Sequence, residues 1–249
     1  MKIAAIIPAR MGSSRFPGKP LVPILGKPMI EHVYRRVALC ERLDATVIAT
    51  CDEAIRQAAE AFGAPVIMTS DKHERASDRV AEAARHMDAD LIVMVQGDEP
   101  MIFPDMIDAA ITPFLAGNEI GCVNLSRRLD SLEDYHNPNT IKVVRDLHDN
   151  AMYMTRAPVP RLARAGIGAT LACKQVCVIV FTREELEIYT RLAPTPLESL
   201  ESIDMLRLME HGRPVRMVAT QRDTLAVDCP EDVPRVEERL RRDPLLSTY

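Results

Sequence analysis

The first 95 residues alternate between short apolar runs and amphipathic segments, and this alternation restricts the possible folds more than any other feature of the chain. Strands are predicted at residues 2–7, 45–50, 65–68 and 91–95, and helices at 28–39, 52–62 and 78–87. Pro28 suits a first helical turn, while Asp52 and Ser77 are candidate N-caps of the next two helices. Because the strands are almost wholly apolar, we predict an α/β fold: a doubly wound, mostly parallel sheet with helices on both faces.

The second half is less regular and predicts a smaller sheet portion. Strands are expected at residues 140–144, 152–155, 174–181 and 215–219, and helices at 183–192, 197–211 and 230–242. No Gly/Ser-rich linker, long charge run or repeat separates the halves, so we predict a single domain over residues 1–249. Within it we distinguish an opening half (1–125), a middle portion (126–225) and a closing segment (226–249).

A basic, glycine-containing loop follows the first predicted strand. Its cations are Arg10, Arg15 and Lys19. Its small residues, which allow backbone N–H groups to approach an anion, are Gly12, Ser13 and Ser14. We predict a nucleoside triphosphate as the ligand. The loop is not the common P-loop, because Lys19 is followed by Pro20 rather than by Ser or Thr. The alternative is a solvated connection without a ligand.

Two acidic positions are candidate metal ligands. Asp98 follows the fourth predicted strand, where a carboxylate faces the ligand cleft, and Gly97 leaves room for a ligand close to the backbone. Asp228 follows another apolar segment. Mg²⁺ prefers few protein oxygens and takes its other ligands from phosphate and water. The alternatives are that residues 97–100 form only a turn and that Asp228 only caps the closing helix.

Composition limits the partners. The formal net charge of -5 argues against a nucleic-acid surface, which would show a basic excess. Six scattered cysteines lack zinc spacing, and no run of about 18 apolar residues is present. We therefore expect a cytoplasmic protein without nucleic-acid or membrane partners.

Several motifs, taken in order along almost the whole chain, resemble the 3-deoxy-manno-octulosonate (Kdo) cytidylyltransferase family. They lie at residues 10–21, 26–30, 95–100, 137–144, 155–157, 196–198 and 228–232. The Arg-Phe-Pro-Gly-Lys-Pro sequence at 15–20 separates the chain from the related sialic-acid enzymes. The resemblance implies Mg²⁺-dependent transfer of CMP from CTP to an acidic acceptor with release of pyrophosphate, a role in lipopolysaccharide biosynthesis, and a homodimer formed through the middle portion.

The resemblance also implies a role for each site residue. The catalytic residues are Arg10, Lys19 and Asp98, and the metal ligands are Asp98 and Asp228. The nucleotide-binding residues are Ala9, Arg10, Gly12, Ser13, Arg15, Lys19, Arg79 and Gln96. The acceptor-binding residues are Arg156, Gln175, Glu201 and Asp204. Nucleotide binding is thus assigned to the opening half, acceptor binding and dimerisation to the middle portion, and a metal ligand to the closing segment.

The chain departs from the family pattern at several recognition positions. Residues 75–79 replace a Ser-Gly-Thr-Glu-Arg-like segment, so we expect cytosine specificity to be weakened. Gln175 stands where the family has His, and Ile179 stands where it has Tyr. Met205, which follows Asp204, stands where the family has Gln. These replacements remove side chains that would hydrogen-bond the hydroxyl groups of the acceptor, which argues against unaltered Kdo recognition. A modified sugar acid, a phosphonate or a small hydroxy acid are the alternative acceptors.

Two other classes of function stay open at this point. One is a different sugar nucleotidyltransferase, which a nucleotide-preference assay would distinguish. The other is a catalytically silent binding protein. Retention of Arg10, Lys19, Asp98 and Asp228 together argues against the silent protein, because binding alone has no chemical need for all four charges.

Overall fold

The computed structural model describes residues 1–13, 15–164, 166–169 and 171–249. Its strands are β1 (Ile3–Ala9), β2 (Pro23–Ile24), β3 (Lys27–Pro28), β4 (Ala45–Thr50), β5 (Val66–Met68), β6 (Leu91–Val95), β7 (Cys122–Arg128), β8 (Lys142–Arg145), β9 (Ala151–Thr155), β10 (Cys173–Thr182) and β11 (Arg216–Ala219). Its α-helices are α1 (Met29–Ala38), α2 (Glu53–Ala61), α3 (Ala76–Ala84), α4 (Pro104–Leu115), α5 (Leu132–His136), α6 (Arg183–Arg191), α7 (Pro196–Glu201), α8 (Met205–Glu210) and α9 (Asp232–Arg241). Short 3-10 turns cover Lys19–Leu21, Ile167–Ala169 and Pro244–Thr248.

The chain divides into two compact units. The first comprises residues 1–108 and 224–249, and the second comprises residues 109–223. The first unit therefore joins the basic opening loop and the C-terminal acidic segment, which are far apart in sequence. In the described part of the chain, no helix combines the length and apolar character needed to cross a bilayer.

The first unit is built on a parallel sheet with the strand order β6-β1-β4-β5. Every residue of β1 and β6 is buried, which requires cover on both faces of the sheet. The α/β prediction is confirmed, and so are the four predicted strands, with end shifts of no more than two residues. Because the strands run parallel, the loops after β1 and β6 leave the same edge of the sheet.

The second unit has a mixed sheet. Strand β10 pairs antiparallel with β7 and β8, β8 pairs antiparallel with β9, and β11 pairs parallel with β7. A register shift interrupts the β10–β7 ladder between Val176 and Ile179. The predicted helix at 197–211 is wrong as a single element, because Ser202 adopts a left-handed conformation (φ 55) that ends α7 before α8 begins.

One of the two predicted helix caps is confirmed in position, and the other is wrong. Ser77 lies inside α3, fully buried, with its hydroxyl directed at the Met94 sulfur rather than at a helix terminus. Asp52 occupies the N-cap position of α2, but its side chain makes no capping hydrogen bond. Its carboxylate instead accepts a hydrogen bond from the opening loop.

Candidate functional site

The opening loop folds around the backbone of Met11. The Met11 N–H donates to Asp52 Oδ2 at 2.8 Å, and the Met11 carbonyl accepts the N–H groups of Ser13 and Gly18, each at 3.0 Å. Gly18 has φ 75, a conformation that favours glycine. These contacts fix the point at which Lys19 leaves the loop.

The remaining nucleotide-site residues of the loop have different environments. Ala9 is the buried last residue of β1, while Arg10 and Gly12 are exposed. The Ser13 hydroxyl accepts the N–H of Phe16 at 3.3 Å, so it stabilises the loop itself. Ser14 lies outside the described residues.

Two ion pairs bring the basic loop to the predicted metal ligands. Lys19 Nζ lies 2.7 Å from Asp98 Oδ2, with the two side chains 12% and 22% exposed. Arg15 lies 2.8 Å from Asp228 Oδ1. The Val227 N–H donates to the Asp98 carbonyl at 3.0 Å, which brings the segment containing Asp228 beside the end of β6. Residues from three distant parts of the sequence therefore converge.

The electrostatics of Asp228 reflect this convergence. Burial, together with the negative charge of Asp98, raises the pKa of Asp228, although Arg15 and Lys19 act in the opposite direction. A buried carboxylate beside a second carboxylate is a donor set that a divalent cation would stabilise.

The donor set fits Mg²⁺ better than a metal that needs many protein ligands. Among the residues described, no group of three or more His, Cys, Asp or Glu side chains is arranged to hold a metal. Two carboxylate oxygens suit Mg²⁺, because this ion usually keeps phosphate and water as its other ligands.

The interpretation of Asp228 as a helix cap is wrong. Helix α9 begins at Asp232, and Glu231 occupies its N-cap position. The Asp232 carboxylate accepts the N–H groups of Asp228 and Cys229 at 2.8 and 3.0 Å. Asp232 thus orders the turn, and the Asp228 side chain is directed to Arg15.

Gly97 is required by the chain's own packing. A Cβ at this position would lie 2.9 Å from the Pro8 carbonyl oxygen and 3.2 Å from Ile30 Cδ1. The close approach is therefore to β1, which differs from our expectation that a bound ligand needs the space. Glycine allows the turn carrying Asp98 to lie directly against the end of β1.

Arg79 and Gln96, the predicted cytidine-side residues, differ in burial. Gln96 is half-buried at the end of β6. Arg79 is buried, and its guanidinium donates to Thr69 Oγ1 at 2.5 Å and to the Ser70 carbonyl at 3.3 Å. Arg79 thus fixes the turn after β5, and a contact of its own with cytidine stays a prediction.

In the second unit, the structure brings Arg156 and Glu201 together. The Arg156 N–H donates to Glu201 Oε2 at 2.8 Å, and Arg156 Nε donates to the Glu201 carbonyl at 2.7 Å. Thr155 Oγ1 and the Tyr153 hydroxyl donate to Glu201 Oε1 at 2.5 and 3.2 Å. Burial alone would raise the pKa of Glu201, but these hydrogen bonds and the charge of Arg156 outweigh it and lower the pKa.

The other two predicted acceptor residues have different surroundings. Gln175 Nε2 donates to Asn124 Oδ1 at 2.6 Å, so part of its hydrogen-bonding capacity serves the sheet. Asp204 is half-buried at the N-terminal end of α8. Ile179, at the position where the family pattern has Tyr, is 1% exposed and belongs to the core.

Sequence reasoning missed three polar residues that shape these sites. Asp52 anchors the opening loop through Met11, and Asn124 donates to two backbone carbonyls at the irregularity of β10. Lys142 is fully buried and donates to two carbonyl groups. The position of Lys142 within an apolar strand was the available signal, because a buried lysine needs compensating partners.

Comparison with known proteins identifies the family. A family model described as "Cytidylyltransferase" matches residues 4–219. The 3-deoxy-manno-octulosonate cytidylyltransferase of Geobacter metallireducens is 45% identical over 251 residues, covering 97% of this chain and 99% of the relative. The corresponding protein of Pelobacter propionicus is 43% identical, with coverage of 97% and 98%.

Solved structures agree with the sequence relatives. A CMP:2-keto-3-deoxy-manno-octonic acid synthetase complexed with CTP superposes with a TM-score of 0.89 at 34% identity, covering 97% of this chain and 99% of the other. A cytidylyltransferase from Leptospira borgpetersenii, at 19% identity and a TM-score of 0.67, shares the fold, with coverage of 98% and 88%. The resemblance inferred from the motifs is confirmed, and the chain belongs to the cytidylyltransferase family.

Proposed function

We propose that this cytidylyltransferase transfers CMP from CTP to 3-deoxy-manno-octulosonate, releasing pyrophosphate. The observation that carries the proposal is the pairing of Lys19 with Asp98 and of Arg15 with Asp228, which gathers phosphate-binding cations and metal-binding carboxylates in one place. The near-full-length relatives that carry this acceptor in their names support the choice of Kdo.

In the proposed reaction, a hydroxyl oxygen of the acceptor attacks the α-phosphorus of CTP. A new phosphorus–oxygen bond forms, the bond between the α-phosphorus and the bridging oxygen breaks, and the hydroxyl proton passes to solvent. Arg10, Arg15 and Lys19 bind the triphosphate and stabilise the charge that develops on the leaving pyrophosphate. Ala9, Gly12 and Ser13 supply the adjoining backbone, and Arg79 and Gln96 lie on the cytidine side.

Asp98 and Asp228 would hold Mg²⁺. When bound, the ion neutralises phosphate charge and orients the α-phosphate for in-line attack. Lys19 contacts Asp98 and Arg15 contacts Asp228, so the cations proposed to bind phosphate lie beside the carboxylates that would hold the metal.

Arg156 is proposed to bind the acceptor's carboxylate, since a guanidinium pairs well with a planar anion. Gln175, Glu201 and Asp204 belong to the same proposed acceptor region. The changes at Gln175 and Ile179 favour a second candidate, transfer of CMP to a related acid with fewer hydroxyl contacts, because the Gln175 amide is engaged by Asn124.

The test is an acceptor and nucleotide panel. Purified protein and Mg²⁺ are combined with CTP, UTP, GTP or ATP and with Kdo, a small hydroxy acid or a phosphonate, and pyrophosphate release is measured. Release that requires both CTP and Kdo supports the proposal. Release with CTP and a different acid supports the second candidate, whereas release with another nucleotide contradicts both.

We also propose a cytoplasmic location, where CTP is available, and a homodimer formed through the second unit. Leu147, Met152 and Leu200 are 101%, 63% and 81% exposed. Exposed apolar side chains favour association. Light scattering should give about twice the chain mass of 27.8 kDa. Met152→Lys should shift the protein toward monomer, and an unchanged dimer would exclude this face.

A further inference from the structure

A single, partly buried network in the second unit holds the Arg156 side chain and backbone. The backbone N–H and the Nε of Arg156 both donate to Glu201, and a third hydrogen bond runs from Arg156 to the Pro138 carbonyl at 2.9 Å. The backbone N–H and two guanidinium nitrogens of one arginine are therefore held by two different segments of the chain. Such a side chain is oriented before any ligand arrives.

The segment that contains Pro138 is a tight turn, and hydrogen bonds from Lys142 stabilise it. The Thr140 N–H donates to the Asn137 carbonyl at 3.2 Å, which closes the turn. Lys142 Nζ donates to the carbonyls of Asn137 and Thr140 at 2.8 and 2.6 Å. Both ends of the turn are thus bound by one ammonium group, and the carbonyl between them is presented to Arg156.

A buried lysine is an unusual residue with which to stabilise a turn. It is fully buried, and burial together with the nearby positive charge of Arg156 lowers its pKa. A buried cation beside another cation costs stability unless hydrogen-bond acceptors or anions compensate for it, and the two turn carbonyls provide part of this compensation. In the β8–β9 ladder Lys142 lies opposite Thr155, whose hydroxyl donates to Glu201. The hydrogen bonds made by Lys142 and those made to Glu201 therefore come together at strands β8 and β9.

We propose that Lys142 and Glu201 are positioning residues that orient the Arg156 guanidinium toward the carboxylate of the acceptor. The inference rests on the proposed function of Arg156 and refines that of Glu201. Both Glu201 side-chain oxygens already accept hydrogen bonds from the protein, Oε1 from Tyr153 and Thr155 and Oε2 from Arg156. Glu201 acts on the acceptor through Arg156, and Lys142 acts through the turn that contacts Arg156.

The kinetic test combines Lys142→Met and Glu201→Gln with Arg156→Ala in double-mutant cycles, using CTP and Kdo as substrates. Each positioning variant should raise the KM for Kdo by about tenfold, with the KM for CTP unchanged within about twofold. Adding either change to Arg156→Ala should cause no further loss, because the group they position is already absent. The inference would be overturned if the effects of the single changes on the KM for Kdo multiplied in the double variants. It would also be overturned if a positioning variant raised the KM for CTP as much as the KM for Kdo.

A matched control separates positioning from general destabilisation. Arg213→Met removes the partner of the buried Glu185 in the same unit, a pair with no contact to Arg156 among those described. It should lower stability while leaving the KM for Kdo unchanged. An equal rise in this KM for Arg213→Met would show that the kinetic effect reports stability alone.

A second measurement does not depend on the acceptor. In ¹⁵N-labelled protein without substrates, hydrogen exchange of the Arg156 Nε–H should be slow in the wild type and in Arg213→Met, and about tenfold faster in Lys142→Met and Glu201→Gln. Equal exchange rates in all four proteins would overturn the inference. Failure of the wild type to use Kdo would instead contradict the proposed function and leave the exchange result to decide the positioning.

Discussion

Lys19 and Arg15 each pair with a carboxylate that we propose as a metal ligand, and this pairing offsets the repulsion between the two adjacent acids. The pair formed by Lys19 and Asp98 is largely buried, so its attraction is less screened than that of a surface pair. The same residues serve substrate binding and the stability of the unliganded site. A substitution of one of these charged residues should therefore change catalytic activity and the free energy of unfolding by different amounts.

Asp98→Asn should reduce turnover by about a hundredfold or more while preserving the fold. The change removes the charge that would hold Mg²⁺, and even residues that only support metal ligands cost up to about a hundredfold when replaced. Pyrophosphate release under saturating CTP measures the effect. Asp88→Asn, at a side chain 87% exposed, is the matched control and should be near normal. Near-normal turnover of Asp98→Asn would refute its metal role.

Asp228→Asn should abolish most activity and yet stabilise the ligand-free protein at neutral pH. Burial and the charge of Asp98 raise the pKa of Asp228, so its ionised form costs stability once the pH rises through the folded pKa. The gain should shrink at low pH, where the wild-type carboxyl is protonated. Thermal unfolding from pH 3 to pH 7 measures this trend, and a variant less stable than wild type at pH 7 would contradict it.

At the scale of elements, the irregularity of β10 depends on one buried side chain. Asn124 Nδ2 donates to the Val176 carbonyl at 2.8 Å and to the Val178 carbonyl at 3.2 Å, where the register of β10 shifts. Its Oδ1 accepts from Gln175. Asn124 therefore couples the shape of the strand to a proposed acceptor residue.

Asn124→Ala should lower the free energy of unfolding by about 2 kcal/mol, because it leaves buried carbonyl groups without a donor. Ser126→Ala on the same strand is the control. The buried Ser126 hydroxyl has no hydrogen-bond partner among the described residues, so its loss should cost less than about 0.5 kcal/mol. Urea denaturation compares the two variants, and equal losses would show that Asn124 has no special role.

The hairpin of β2 and β3 depends on a histidine in α1. His32 Nε2 contacts the Ile24 carbonyl at 2.8 Å, and Nδ1 contacts the Tyr249 hydroxyl at 3.0 Å. Burial lowers the pKa of His32, with the charges of Lys27 and Arg36 adding to the effect. The neutral ring therefore donates from Nε2 to the carbonyl and accepts the tyrosine hydroxyl at Nδ1.

Because the folded pKa of His32 lies below its unfolded value, its contribution to stability is present above about pH 6.5 and is lost as the pH falls through the folded pKa. The wild type should lose more stability between pH 7 and pH 5 than His32→Gln, which does not titrate. Chemical denaturation at both pH values measures the difference. Equal losses of stability in the wild type and in His32→Gln between pH 7 and pH 5 would show that His32 does not contribute to the pH dependence.

Local sequence patterns predicted the strands formed by short, almost wholly apolar runs, such as β4 and β6. They missed β7, because Asn124 and Ser126 point inward from a strand whose buried face is partly polar. They joined α7 and α8, because an apolar pattern does not reveal the left-handed Ser202. The motifs predicted the charged site residues, but the supporting contacts of Asp52 and Lys142 depend on tertiary structure.

At the scale of the whole molecule, the first unit combines residues from both ends of the sequence, so a site containing Lys19, Asp98 and Asp228 exists only in the folded chain. The second unit holds Arg156 and Glu201 in a network of its own. Family membership accounts for the cytidylyl chemistry, while the altered residues Gln175 and Ile179 bear on the choice of acceptor.

The most direct test of CMP transfer is a phosphorus NMR spectrum of the protein with CTP, Mg²⁺ and Kdo. We predict that the triphosphate resonances disappear and are replaced by pyrophosphate and one phosphodiester signal, with no product when Kdo is omitted. Unchanged CTP, or its conversion to CDP and inorganic phosphate, would contradict the proposed transfer of CMP to this acceptor.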